Sequence, residues 1–307
     1  LAQIGFSRFS IGVQDFSPEV QEVINRQQSK QATLDSIAEA MSVGKSVNVD
    51  LITGLPLQTP ESFAETLNQV IDTGVTRIAA YNFAYIPERI KSQKLIDKKL
   101  LPPAQVRFEI VRNTRQILTA AGYQHIGMDH YALPHDSLAM AHGMGTLQRN
   151  FQGYTTHRDT DLIGVGVSAI SKFETAFAQN SSKLSVYNEM IDDKRLPIAK
   201  GLSLNDDDRL RAVLIQQIMC QNSVDLETTI GRHIETSSRQ TMREYFKREL
   251  RGLESLANDQ LVVFTEQGFD ITGRGRYFMR QIACVFDRYL NGEPDSGGNI
   301  VQFSRSI

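Results

Sequence analysis

The chain has 307 residues, of which 41% are hydrophobic and 22% charged, with a formal net charge of -2. That is ordinary globular composition, long enough for one large domain or two smaller ones. Near-neutral charge of mixed sign along the chain gives no field for a polyanion, so nucleic acid is not an expected partner. Cys220 and Cys284 are far apart among apolar neighbours, which reads as buried reduced thiols in a cytoplasmic protein rather than a disulfide framework. No apolar run approaches the roughly 20 residues needed to span a bilayer. The chain opens with Leu1 and enters a strand-like segment within a few residues, as expected of a chain cut inside a fold.

The first third alternates strands and helices. Phe6 to Val13 reads as a strand, and Ser17-Pro18 as a helix start, a capping hydroxyl followed by proline at the first helical position. Leu34, Ile37, Ala38 and Met41 share one face of a second helix, with Gly44 placed for a left-handed cap. Val47 to Leu55 is the next strand. Thr59-Pro60 opens a helix with Phe63, Leu67, Val70 and Ile71 as its apolar stripe, ended by Gly74 before a strand from Arg77 to Tyr85. Such repeats predict parallel strands joined by right-handed crossovers, with a ligand site at the strands' C-terminal ends. Those ends carry Gln14 and Asp15, then Asp50 with Gly54-Leu55-Pro56, then Asn82, Ala84 and Tyr85. Taken singly, each also suits a loop residue satisfying backbone groups.

Together with their spacing they form a pattern. Ser10 to Phe16, Asn25-Arg26 and Asn48 to Thr59 resemble strand regions of a radical S-adenosylmethionine (SAM) barrel. Ile126 to Ala132, Arg149 to Thr156 and Gly164 to Ile170 follow in order, and the resemblance runs on to Gln302-Phe303-Ser304-Arg305. These later blocks resemble the oxygen-independent coproporphyrinogen III oxidases rather than their haem-chaperone relatives, which remain the alternative. Tyr85 departs from the family, which commonly has His there, as do Thr53 (often Tyr) and Tyr131 (usually Phe).

The resemblance implies an α/β fold: a partial radical SAM (β/α) barrel lacking its first strands over residues 1–180, then a mostly helical, winged-helix-like domain with a small hairpin over 181–307. It implies oxidative decarboxylation of two propionates of coproporphyrinogen III to vinyl groups, giving protoporphyrinogen IX. Two SAM molecules and a 4Fe-4S cluster are the implied cofactors; an electron donor and an electron acceptor are the implied partners of a cytoplasmic monomer. By this resemblance Gln14, Arg26 and Asp50 hold the SAM on the cluster, and Ala84 and Ile170 touch the second. The cluster takes three closely spaced cysteines, a triplet this sequence lacks, so its ligands are expected in a preceding segment and this chain is expected to be inert alone. Asp129, His130, Arg149 and Gln152 are the substrate-pocket candidates. Arg149 and Arg158 suit propionates, because a guanidinium pairs bidentately with a carboxylate. His125, His130, His135, His142 and His157 lack a zinc-ligand spacing.

From Asn205 the pattern becomes helical, with Leu210, Val213, Leu214 and Gln217 to Met219 around one helix and Tyr245, Leu250, Leu253 and Leu256 along another. Leu261 to Phe264 and Phe269 to Ile271 flank Thr265 to Gly268, the signature of a hairpin. A last helix is expected from about Gly275 to Leu290. Helices followed by a hairpin also suit a DNA-binding regulator, but Lys247, Arg248 and Arg251 alternate with Glu244, Glu249 and Glu254, which is no basic stripe.

Overall fold

The computed structural model describes residues 2–44, 46–157, 160–227 and 241–291. These fall in two compact units, 2–143 and 144–291. In the first, β1 (Arg8–Gln14), α1 (Pro18–Val23), α2 (Lys30–Ser42), β2 (Ser46–Thr53), α3 (Pro60–Ile71) and β3 (Arg77–Asn82) follow in turn. Then come α4 (Ala104–Ala120), β4 (Gln124–Gly127), β5 (His130–Ala132) and α5 (Ser137–Gly143). The sheet order is β1-β2-β3-β5-β4. The first three strands are parallel, as expected, while β5 joins β3 and β4 antiparallel.

Local chemistry explains these boundaries. The Ser17 hydroxyl accepts from the Val20 N–H to start α1, and Thr59 and Ser62 exchange bonds in a capping box at α3 with Pro60 behind the cap. Gly44 and Gly74, at φ +67° and +74°, follow α2 and α3 in the left-handed conformation that glycine adopts without a Cβ clash. The core packs Val49, Leu51 and Ile78 of the sheet against Ile37, Phe63, Leu67, Ile110 and Leu118 of α2, α3 and α4, all essentially out of water. Each such side chain contributes about 1.5–3 kcal/mol by burial. At the start of β3, Arg77 Nε donates to both oxygens of buried Asp136 at 2.7 Å, while Thr76 Oγ1 and the Leu138 N–H complete the carboxylate. The third strand ends at Asn82 rather than Tyr85, because Gln93 takes over the next backbone groups, donating to the Ala84 carbonyl and accepting from the Ile86 N–H.

The second unit holds β6 (Gln148–Asn150), β7 (Gly153–Thr155), β8 (Ile170–Lys172), β9 (Ala176–Asn180), α6 (Leu184–Asp192), β10 (Ile198–Ser203) and α7 (Asp206–Cys220). They are followed by β11 (Ser223–Asp225), α8 (Met242–Tyr245), α9 (Lys247–Gly252), α10 (Glu254–Asn258), β12 (Val262–Phe264), β13 (Gly268–Ile271), α11 (Met279–Cys284) and α12 (Arg288–Asn291). The β6–β7 hairpin, the β10-β9-β8 sheet and the β11-β13-β12 sheet are antiparallel. The expected late hairpin is present, with Phe264 opposite Phe269. Its core gathers Leu214, Ile218, Phe246, Phe269 and Phe286.

Three expectations are corrected here. The boundary expected after residue 180 lies inside the second unit, because the β6–β7 hairpin is bonded to α7 through Gln216 and the Met219 carbonyl. The helix expected through Tyr245 to Leu256 is three short ones, broken at Phe246 and Leu253, whose fully buried side chains set the path. The long last helix is likewise broken into Gly275–Tyr277, α11 and α12, where Arg211 takes the Phe286 carbonyl and the Phe286 ring stacks on Phe269. Among the described residues no helix is long and apolar enough to cross a membrane. Arg158 and Gln302 to Arg305 lie outside the described residues.

Candidate functional site

In β2, buried Val47, Val49 and Leu51 alternate with partly accessible Asn48, Asp50 and Ile52. The second set therefore stands on the face turned away from α2, α3 and α4. Register sets Ser10 beside Asn48, and Gly12 and Ala79 on either side of Asp50, with His130 next beyond Ala79. That face is polar, and Asp50 has no side chain beside it on β1. Its Oδ2 accepts from Ser10 Oγ at 2.6 Å and its Oδ1 from Asn48 Nδ2 at 2.7 Å. One acceptor position per oxygen remains open to a ligand hydroxyl. Asp50 thus sits within β2, not at its end as the sequence suggests.

The end of β1 is shaped for a close approach. Gln14 adopts φ +65°, in the left-handed region, and the register slips between Gly12 and Gln14. A non-glycine residue there carries strain, which clusters at binding sites. After α1, Asn25 at φ +52° turns the chain so that Arg26 Nη2 donates to the Gly12 carbonyl at 3.1 Å. A Cβ on Gly12 would stand 2.6 Å from Gln14 Nε2 and 3.2 Å from Arg26 Nη2, so glycine is required for both side chains to lie there. Gln14, Arg26 and Asp50, widely spaced in sequence, are brought together around Gly12.

Asp15 has another role. It is fully buried, accepting from the Ser17 N–H, Thr66 Oγ1 and Gln58 Nε2. Gln58 in turn accepts from the Gly54 N–H and donates to the Ile52 carbonyl. This network locks the loops after β1 and β2, and it is structural. Thr53 donates to Asn82 Oδ1 at 2.8 Å, and Tyr85 OH lies 3.4 Å from the Ile96 carbonyl. Ala84 lies past the end of β3 with its carbonyl held by Gln93. His130 is buried with its ring edge-on to Tyr81 at 5.6 Å, and the Asp129 carbonyl accepts from the Ala80 N–H.

The other candidates lie in the second unit. Arg149 is on β6 and Gln152 is in the β6–β7 turn, its N–H bonded to Asn150 Oδ1. Ile170 begins β8. Phe151, at the hairpin tip, packs edge-on against Phe177 of β9 at 5.4 Å, which brings Arg149, Gln152 and the Ile170 sheet into one neighbourhood. Gln216 and Tyr154 also belong to it; Tyr154 falls in the Arg149 to Thr156 block, whereas no sequence motif marks Gln216.

Cys220 and Cys284 lie on α7 and α11. Burial pushes the Cys220 thiol up to about 12, against weaker downward pulls from Arg149 and Lys172. Among the described residues no group of three or more His, Cys, Asp or Glu is placed to hold a metal. A four-iron cluster needs three protein thiolates, and two cysteines do not fit it. The Gly12 cradle, with an amide, a guanidinium and a carboxylate carrying open acceptor positions, does fit a ligand with sugar hydroxyls and both charge signs, as SAM has.

Residues 1–70 match the family model of the radical SAM superfamily. The oxygen-independent coproporphyrinogen III oxidase of Pseudomonas aeruginosa is 45% identical over 94% of this chain, which spans 62% of that relative. The chain spans 65% of the Escherichia coli relative, at 41% identity. A solved structure described as the E. coli coproporphyrinogen III oxidase, a radical SAM enzyme, superposes with a TM-score of 0.88 at 40% identity, covering 94% of this chain and 66% of that one. The chain therefore spans about two-thirds of the length of these relatives. The oxygen-independent coproporphyrinogen III oxidase of Thermostichus vulcanus is 40% identical, and there the match covers 94% of this chain and 88% of the relative. With that identity over nearly the whole of a relative, the chain belongs to the oxygen-independent coproporphyrinogen III oxidase family of radical SAM proteins.

Proposed function

We propose that this chain supplies the SAM-holding and substrate-pocket part of an enzyme that decarboxylates two propionates of coproporphyrinogen III to vinyl groups, giving protoporphyrinogen IX. The observation that carries it is the cradle at Gly12, where Gln14 and Arg26 converge beside a carboxylate with free acceptor positions. Asp50 binds the ribose hydroxyls of the SAM on the cluster, while Gln14 and Arg26 orient its amino-acid end. Ala84 in the first unit, and separately Ile170 in the second, are proposed SAM contacts. Asp129 and His130 in the first unit, and separately Arg149 and Gln152 in the second, are proposed substrate contacts. SAM held here would supply hydrogen-abstracting radical chemistry once a reduced 4Fe-4S cluster gave it one electron; the protein's own residues would orient the propionate β-hydrogen and exclude water.

The ligands of the 4Fe-4S cluster, and the first strands of the barrel, are proposed to lie outside these 307 residues. Within the second unit, α7 to α12 with the β12–β13 hairpin are winged-helix-like. The complete enzyme works as a cytoplasmic monomer with an electron donor and an electron acceptor. Calorimetric titration of the chain with SAM tests the central element: saturable binding is expected, and no detectable binding would refute it.

A further inference from the structure

Arg149 is held with unusual completeness for a hairpin residue. The Gln216 side-chain amide accepts from its N–H at 3.0 Å and donates to its carbonyl, occupying both backbone groups at once. Its guanidinium lies 4.7 Å above the ring of Tyr154, whose hydroxyl is tied to the Met219 carbonyl at 2.6 Å. Yet Arg149 Nη1 is out of water with no hydrogen-bond partner, and among the described residues no carboxylate pairs with it. A buried cationic donor left unpaired is costly, so a group held this rigidly in that state is prepared for an anion.

A second cation stands close by. Phe177, against which Phe151 packs, is the cross-strand partner of Lys172. Cross-strand partners share a sheet face, so Lys172, and Ile170 two residues before it, face the hairpin. Arg149 and Lys172 also act on the same buried Cys220 thiol.

We infer that the β6–β7 hairpin and the facing side of the β8–β9 sheet form a carboxylate-receiving site, in which Arg149 pairs with the carboxylate, Lys172 adds charge, and Gln216 is the positioning residue that fixes Arg149. The planar guanidinium fork matches a carboxylate, and a porphyrinogen propionate is such a group. This deepens the functional reading above and rests on it. The carboxylate of SAM has the same chemistry, and the experiment separates the two.

The 307-residue chain is titrated by fluorescence with coproporphyrin III, which carries the propionates of the substrate, with its methyl ester, which carries no carboxylate, and separately with SAM. The wild-type chain should bind the acid more tightly than the ester. Arg149→Met should weaken acid binding about ten- to a hundredfold, the scale of a charged hydrogen bond, and leave the ester unchanged. Arg149→Lys should restore part of the loss, and Lys172→Met should cost less than Arg149→Met. Gln216→Met should narrow the acid-to-ester ratio with ester affinity intact, whereas a merely structural role would weaken both. Loss of SAM affinity in Arg149→Met, with the acid-to-ester ratio unchanged, would give the site to SAM and overturn the propionate assignment. Retention of both would overturn the carboxylate site. Binding of neither porphyrin by the wild-type chain would instead overturn the functional reading, and this site with it; equal binding of acid and ester overturns the site alone.

Discussion

Replacing Asp50 by alanine should weaken SAM binding about thirtyfold while leaving the fold intact. Ser10 and Asn48 each occupy one carboxylate oxygen, at 2.6 and 2.7 Å. Each oxygen retains roughly one acceptor direction for a ribose hydroxyl. A hydrogen bond to a charged group contributes about 1.5–3 kcal/mol, and a partly accessible pair falls at the lower end in total, about 2 kcal/mol or about thirtyfold in Kd. The cost to folding is smaller, because Asn48 Nδ2 still donates to Ser10 Oγ at 2.8 Å and both residues reach water. Asp50→Asn keeps the shape with one acceptor and should fall between. Titration calorimetry with SAM, paired with thermal unfolding, measures both quantities. Wild-type SAM affinity in a folded Asp50→Ala variant would remove Asp50 from the site, and a collapsed melting transition would make its role structural.

Other consequences can be tested separately. Anaerobic reconstitution with iron and sulfide should leave this chain without a stoichiometric four-iron cluster, since it has two cysteines; a stoichiometric cluster by iron and sulfide analysis would refute that. Arg77→Met strands the buried Asp136 carboxylate and should destabilise the first unit by about 3–5 kcal/mol in urea unfolding, more than the double variant Arg77→Met/Asp136→Leu; an equal or larger loss in the double variant would contradict it. In the second unit, burial alone would push the Asp207 carboxyl up, but hydrogen bonds from Tyr245, Arg211 and Arg288 outweigh it and hold the group below its ordinary value. A folded-state pKa below the unfolded one stabilises above the ordinary carboxylate range and is lost as pH falls through the folded value. Tyr245→Phe should therefore flatten the loss of stability on acidification, and an unchanged slope would refute that origin.

Much of the first unit is written locally in the chain. Ser17-Pro18 and Thr59-Pro60 mark helix starts because the hydroxyl cap and the fixed proline φ act within one turn. The alternation of Asn48 and Asp50 with Val47, Val49 and Leu51 is equally visible. What it does not show is that Ser10, |i−j| = 38 away from Asn48, completes the carboxylate's partners, because register is set by the paired strand. Gln216 was still less accessible to sequence reading, since its clamp on Arg149 spans |i−j| = 67 and arises only when the hairpin meets α7. The late helices failed for a related reason: apolar spacing continues through Phe246 and Phe286, but the packing of those rings breaks the path.

Propionate decarboxylation, the function proposed for the complete protein, leaves different products from haem trafficking. The most direct test is anaerobic incubation of the complete protein that contains this chain with coproporphyrinogen III, SAM and a reductant, with tetrapyrroles resolved by chromatography. Vinyl products appearing in step with SAM cleavage are predicted, and they should be suppressed by Asp50→Ala. Stable haem binding without any vinyl product would contradict the account and assign the chain to the chaperone branch.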